Sequence, residues 1–197
     1  VSTGFLLTAS QKQIMDIYYG SFWGSRRGMQ LAQYWSSNQY SNESRYQFRV
    51  ETANGAWIDY YAGPLADLQR IIDLNTDSPE DVGGFGSNGN QIAVAKLLQA
   101  WVYQHLTDAF GAIPMSQALQ GVDNTSPGYD SQSEVYANLL TMIDEALSGM
   151  DGGAGPQGDQ LYGGDMDMWT KFANSLKLRV AMRMSDVNAQ TAQAAAE

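Results

Sequence analysis

The stretch from Gln91 to Met115, QIAVAKLLQAWVYQHLTDAFGAIPM, most constrains what this chain can fold into. Val94, Leu98, Trp101 and His105 recur at helical spacing and fall along one stripe. Ala93, Leu97 and Ala100 widen that stripe until most of the helix surface is apolar, which predicts a buried central helix with Trp101 packed by both neighbours. Asn88 or Asn90 is expected to cap its start, because a short side-chain oxygen can accept from the orphan N–H groups there. Gly111 is placed to end it, and Pro114 forbids continuation. A central helix therefore runs into a fixed elbow, Asp108-Ala109-Phe110-Gly111-Ala112-Ile113-Pro114.

Flanking segments read as further helices joined by irregular chain. Ser10 to Trp23 is a first helix, with Ser10 and Gln13 in a capping-box pattern and Ile14, Ile17 and Tyr18 on one face. Gly24 to Gly28 breaks it. Met29 to Val50 is polar and aromatic without a clean period and reads as loop with a helical turn. Asn54 to Leu74 is a second helix that Pro64 kinks or divides. Thr76 to Asn90 is a loop. Gln120 to Asp130 is a turn-rich connector, and Ser131 to Ser148 is a helix opened by a Ser131/Glu134 capping box. A glycine-rich loop, Gly149 to Gly164, leads to a helix capped by Asp165 or Asp167 and continuing through Met184. Asn188 to Glu197 begins another. No fixed-period repeat is visible, and long helices with short returns suggest antiparallel pairs.

Composition narrows the function classes. At 44% hydrophobic the chain is not disordered, and 197 residues suffice for one domain with a core or for part of a larger one. A net charge of −10 argues against nucleic acid and against an anionic membrane surface, both of which call for a basic face. No run approaches transmembrane length. The absence of cysteine excludes disulfides and thiolate metal sites. A start at Val1 rather than Met leads us to expect a processed or truncated product.

Three stretches carry a resemblance. LTDAFGAIPMSQAL resembles the helix-and-elbow T-D-x-F/Y-G-x-I/V-P of the SusD/RagB family, the surface nutrient-binding lipoproteins of Bacteroidetes-type outer membranes. PGYDSQSEVYANLLTMIDEAL is similar to that family's P-x-Y-D-x-Q-x-x-I/V-Y, and GDMDMWTKFANSLKLRVAMRMS to its G-D-x-x-x-W-x-K-F-A-N-S-L-K-L-R-x-A-M-R-x-S. The resemblance is strong over the last half of the chain and loose over the first. It implies an all-α fold of tetratricopeptide-like antiparallel helix pairs with long irregular loops. Residues 1–197 would form a single helical domain, the N-terminal portion of a SusD-like protein. It further implies a non-catalytic protein on the extracellular face of the outer membrane. Such a protein captures oligosaccharide-type nutrients and delivers them to a SusC-like TonB-dependent transporter. The family's lipid-bearing cysteine is not in these residues, so membrane attachment would come only through an anchor not present in this chain.

The residues themselves offer few sites for chemistry. His105 is the only histidine, so a triad or histidine metal site lacks partners. It reads as a core residue tethered by Asp108, three positions on. Asp151, Asp159, Asp165 and Asp167 crowd a flexible segment but do not show the spacing of a known calcium loop, and capping explains acids at a helix start. Lys171, Lys177, Arg179 and Arg183 read as structural partners for acids on neighbouring helices. No catalytic residue, metal site or cofactor is expected. Trp35, Asn38, Tyr40, Arg45 and Tyr46, with Phe48, stand apart. They lie outside any helical stripe and mix aromatics with amide and guanidinium groups. Aromatic faces suit sugar C–H faces, and amides and Arg suit hydroxyls. We take these as the candidate ligand-binding residues, against the alternative that the loop tucks its aromatics into the core. An all-helical glycoside hydrolase and a helical-repeat scaffold without a small ligand are the rival functional readings.

Overall fold

The computed structural model describes residues 2–196, apart from the side chains of Ser21 and Phe22. Val1 and Glu197, the two ends of the sequence reading, lie outside the described residues. The helices are α1 (Thr3–Tyr18), α2 (Val50–Tyr60), α3 (Ala66–Asp77), the single turn α4 (Pro79–Val82), α5 (Asn88–Phe110), α6 (Gln132–Gly149), α7 (Met166–Met184) and α8 (Ala189–Ala196). They pack as the expected all-α arrangement of tetratricopeptide-like pairs. Among the described residues the β-pairing is one isolated antiparallel bridge, Ile113 with Asp130.

Helix α5 is the axis. It packs against α3 and α6 on its long sides and touches α1 and α7. Ala93, Val94, Leu97, Leu98, Ala100 and Leu106 are essentially solvent-free, as an all-round apolar helix requires. Trp101 differs from expectation. It is only partly buried, against the rings of Tyr18 at 5.7 Å and Phe172 at 6.0 Å, because α1 and α7 flank this side of α5 without closing over it. The helix cap also differs: Ser87, not Asn88 or Asn90, accepts from Asn90 N. Asn90 instead turns its amide to Gly153 O at 3.0 Å, fastening the glycine-rich loop.

The elbow is held as rigidly as predicted. Gly111 adopts φ +78°, its N–H donates to Thr107 O at 2.8 Å, and Thr107 Oγ1 donates back to Gly111 O at 2.7 Å. Asp130 Oδ2 accepts from Met115 N and Ser116 N, both at 2.8 Å, and Tyr61 Oη donates to Pro114 O at 2.6 Å. Pro64 divides the second long helix as expected, at a π-helical segment where Gly63 leaves helical geometry. The Ser131/Glu134 capping box and the Asp165 cap both form.

The first helix begins earlier than the sequence suggested. Ser2 caps it, and Ser10, read as a cap, lies buried within it with Oγ donating to Leu6 O at 2.8 Å. Gln11 is likewise buried and donates to Asp159 Oδ1 at 2.7 Å. Ser10, which looked like an N-terminus, is a satisfied interior group, and Gln13, its expected capping partner, is exposed. The Gly24–Gly28 stretch does not break the chain either. It forms a π-helix, Ser21–Met29. Finally, the segment read as loop before α5 contains α4 and a short 3-10 turn, Gly83–Phe85.

Candidate functional site

The loop between the π-helix and α2 keeps its aromatics in solvent. Trp35 is 56% exposed, Tyr40 60% and Tyr46 52%, and Tyr34, Phe48, Asn38 and Arg45 are exposed too. The alternative of a core-tucked loop therefore does not describe this segment. Rings of this size are left in water only at a free-energy cost. The backbone carries a related cost. Gln33, Tyr40 and Tyr46 hold positive φ, three of the four non-glycine residues in that region among the described residues. Such conformations cost of order 1–3 kcal/mol each and persist where the surroundings over-determine them.

Those surroundings lie beneath the loop. Glu43 is buried within it and pairs with Arg49, Nη2 to Oε1 at 2.8 Å and Nε to Oε1 at 2.9 Å. Ser44 Oγ donates to Gln30 Oε1 at 2.9 Å. From the π-helix, the Arg26 guanidinium lies 4.4 Å from the Tyr40 ring centre, with Arg49 at 5.9 Å from the same ring. Arg27 sits 5.2 Å from the Phe48 ring and 5.1 Å from Trp23. Cation–π contacts thus hold two loop rings while leaving them largely open. Tyr46 Oη donates to Leu31 O at 3.3 Å, and Arg45 Nε to Ser41 O at 3.4 Å. Sequence reasoning missed Arg26 and Arg27. Their only signal was an Arg-Arg pair inside a stretch that reads as a break.

Trp23 connects this site to the core. It stacks on Phe110 at 5.5 Å, and Phe110 meets Trp57, which in turn stacks on exposed Tyr129. Its indole Nε1 donates to His105 Nε2 at 2.5 Å. His105 is thus tethered by Trp23 rather than by Asp108, whose oxygens are occupied by Tyr136 and Arg183. Burial pushes the imidazole pKa down to about 4. Asp108 opposes that shift and the nearby Arg179 guanidinium reinforces it.

The remaining candidates are structural. Asp159 accepts from Gln11, from Leu161, Tyr162 and Gly164 N–H groups, and from Trp169 Nε1 at 2.8 Å. Burial raises its pKa, but these hydrogen bonds outweigh that and hold it below the usual carboxylate range. Asp151 accepts from Ser87 and Gly153. Among the described residues no group of three or more metal-ligating side chains comes together. Lys177 pairs with Asp144 and Arg183 with Asp108, both at 2.7 Å, as expected of a scaffold. Arg179 departs from expectation, since its partner is the neutral Gln104, Nε to Oε1 at 2.8 Å.

The structure is thus an all-helical paired scaffold that displays a braced, solvent-facing aromatic loop. The profile of the SusD-like_2 family, described as "Starch-binding associating with outer membrane", matches residues 1–197. The chain belongs to the SusD/RagB family. Among solved structures, a chitin-binding protein superposes with a TM-score of 0.82 at 30% identity, over 99% of this chain and 42% of its own. A Bacteroidetes SusD-like protein gives a TM-score of 0.75 at 25% identity, over 100% and 36%. A SusD homologue from Parabacteroides distasonis, at 22% identity, shares the fold with a TM-score of 0.82 over 98% and 38%. The chain spans about two fifths of the length of these structures. No curated protein matches it.

Proposed function

We propose that this chain is the helical N-terminal portion of a non-catalytic protein that binds oligosaccharide nutrients at the extracellular face of the outer membrane. Its task is to hand them to a SusC-like TonB-dependent transporter. The observation that carries this reading is the aromatic loop, with Trp35, Tyr40 and Tyr46 each more than half exposed on a backbone braced from below. In this reading Trp35 and Tyr40 stack on sugar rings, while Asn38 and Arg45 hydrogen-bond hydroxyls and Tyr46 closes the platform. Stacking and hydrogen bonding hold a ligand without breaking a bond, so capture needs no acid–base pair. The family description and the chitin-binding neighbour support a carbohydrate ligand.

The test is a glycan array followed by titration calorimetry with the complete protein. Trp35→Ala or Tyr40→Ala is expected to weaken glycan binding about tenfold or more while leaving the melting curve nearly unchanged. Binding that survives both substitutions, with a lowered melting temperature instead, would overturn the assignment. Turnover of labelled glycans would replace it with a hydrolase.

A further inference from the structure

A cleft lies on the open side of α5, between α1 and α7, and no residue of the aromatic loop lines it. It measures about 710 Å³ and is lined by Tyr18, Gln104, His105, Asp108, Arg179 and Met182. Its chemistry is lopsided. The Trp23 indole donates to His105 Nε2, so the neutral imidazole carries its proton on Nδ1, where nothing among the described residues accepts it. Arg179 uses Nε on Gln104 and leaves its terminal nitrogens without a hydrogen-bond partner among the described residues. Gln104 is buried and serves the cleft only through its Oε1, which holds Arg179 in place. The neighbouring Tyr136 hydroxyl donates at 2.5 Å to Asp108 Oδ1. Asp108 Oδ2 is taken by Arg183 at 2.7 Å. The cleft therefore offers several donors, while its one carboxylate is already engaged on both oxygens. Two guanidiniums against one carboxylate leave a local positive charge on a molecule of net charge −10.

The walls add a second requirement. The Tyr18 ring lines the cleft and lies 4.7 Å from the His105 ring. Half-buried rings beside a row of donors accept a flat, partly apolar ligand face whose edge carries oxygens. Unpaired donors with excess positive charge select an oxygen that is anionic, because charge-assisted hydrogen bonds are about twice as strong as neutral ones. Guanidinium suits a carboxylate better than a lysine would, since its fork matches the two oxygens.

We propose that this cleft is a separate binding site for an acidic sugar, a hexuronate unit of an oligosaccharide. Its carboxylate sits on Arg179 and the His105 Nδ1–H, and its ring lies against Tyr18. The site does not depend on the aromatic loop and makes the protein a reader of charge as well as of sugar.

The test titrates the complete protein at low salt with oligogalacturonate and with its fully methyl-esterified form, which keeps the shape and removes the charge. The acid is expected to bind and the ester not to. Arg179→Gln should weaken acid binding about tenfold or more, with Arg179→Lys intermediate. Met182→Glu, at a 62% exposed position, puts a carboxylate at the mouth without touching any hydrogen bond and should abolish binding while the melting curve holds. Trp35→Ala should leave acid binding intact. Absence of acid binding, equal binding of the ester, unchanged affinity in Met182→Glu, or loss in Trp35→Ala would each overturn the proposal. Neutral-glycan binding at the loop is scored independently, so the two sites fail separately.

Discussion

His105 shows how one residue's surroundings set its chemistry. It sits among the rings of Tyr18, Trp23 and Tyr60, accepts from an indole, and is held neutral down to about pH 4 instead of its ordinary 6.5. The unfolded chain takes a proton as pH falls through 6.5, whereas the fold refuses it until about 4. This residue's contribution to stability is therefore complete above 6.5, declines as pH drops between those values, and changes no further below them. The loss amounts to about 3 kcal/mol. His105→Gln is expected to flatten that part of the stability profile, read as urea midpoints between pH 7 and pH 4 (chosen to bracket the titration). Parallel profiles for the two proteins would refute the account. A solitary histidine on an apolar helix reads as a core residue from spacing alone, whereas His105 is half-buried on the wall of the cleft. Its partner was not legible, since Trp23 lies 82 residues away and Asp108 only three.

At the scale of elements, local chemistry specified the best-read boundaries. The Ser131/Glu134 box, the Asp165 cap and the Gly111 stop each work through bonds reaching at most four residues, and all three form where the sequence puts them. Gly111 combines φ +78° with ψ −116°, outside the conformations other residues accept. Gly111→Ala should therefore cost about 1–3 kcal/mol through backbone strain, although the added methyl group would meet nothing within 4 Å. An unchanged urea midpoint would show that the elbow relaxes freely. Boundaries failed where a polar residue had a distant partner. Ser10 and Gln13 read as a helix start, yet the helix begins at Thr3, and the neighbouring Gln11 is claimed by Asp159 and by the Gln160 N–H of the glycine-rich loop. The π-helix from Ser21 to Met29 has no local code. Three glycines and Ser in its neighbourhood read as a break, whereas packing of Trp23 against Phe110 and His105 holds it helical.

For the whole molecule, one face of the family-like helix α7 is interior. Trp169, Ala173, Leu176 and Val180 are buried along α7, and Lys177, Arg179 and Arg183 meet Asp144, Gln104 and Asp108 of neighbouring helices. Such a stack holds its shape, so docking it onto a partner costs little ordering entropy. We therefore expect the native protein to co-purify with a large TonB-dependent barrel from detergent-solubilised outer membranes. The contact should bury more than about 1,000 Å². Recovery of the protein alone, at low salt in mild detergent, would favour a free-standing binder.

By itself the sequence determined the all-α class, the central helix with its elbow, the division at Pro64 and the family, because these follow from periodicity, capping and motif, all short-range. It also marked Trp35, Tyr40 and Tyr46 as rings without a helical stripe to join. Only the tertiary structure decided that those rings stay in solvent, that Arg26, Arg27 and Arg49 brace Tyr40 and Phe48, and that Tyr18 and His105 line an open cleft. Exposure and pairing are properties of which surfaces meet. Residues many positions apart in the chain settle them, and no local pattern encodes those meetings.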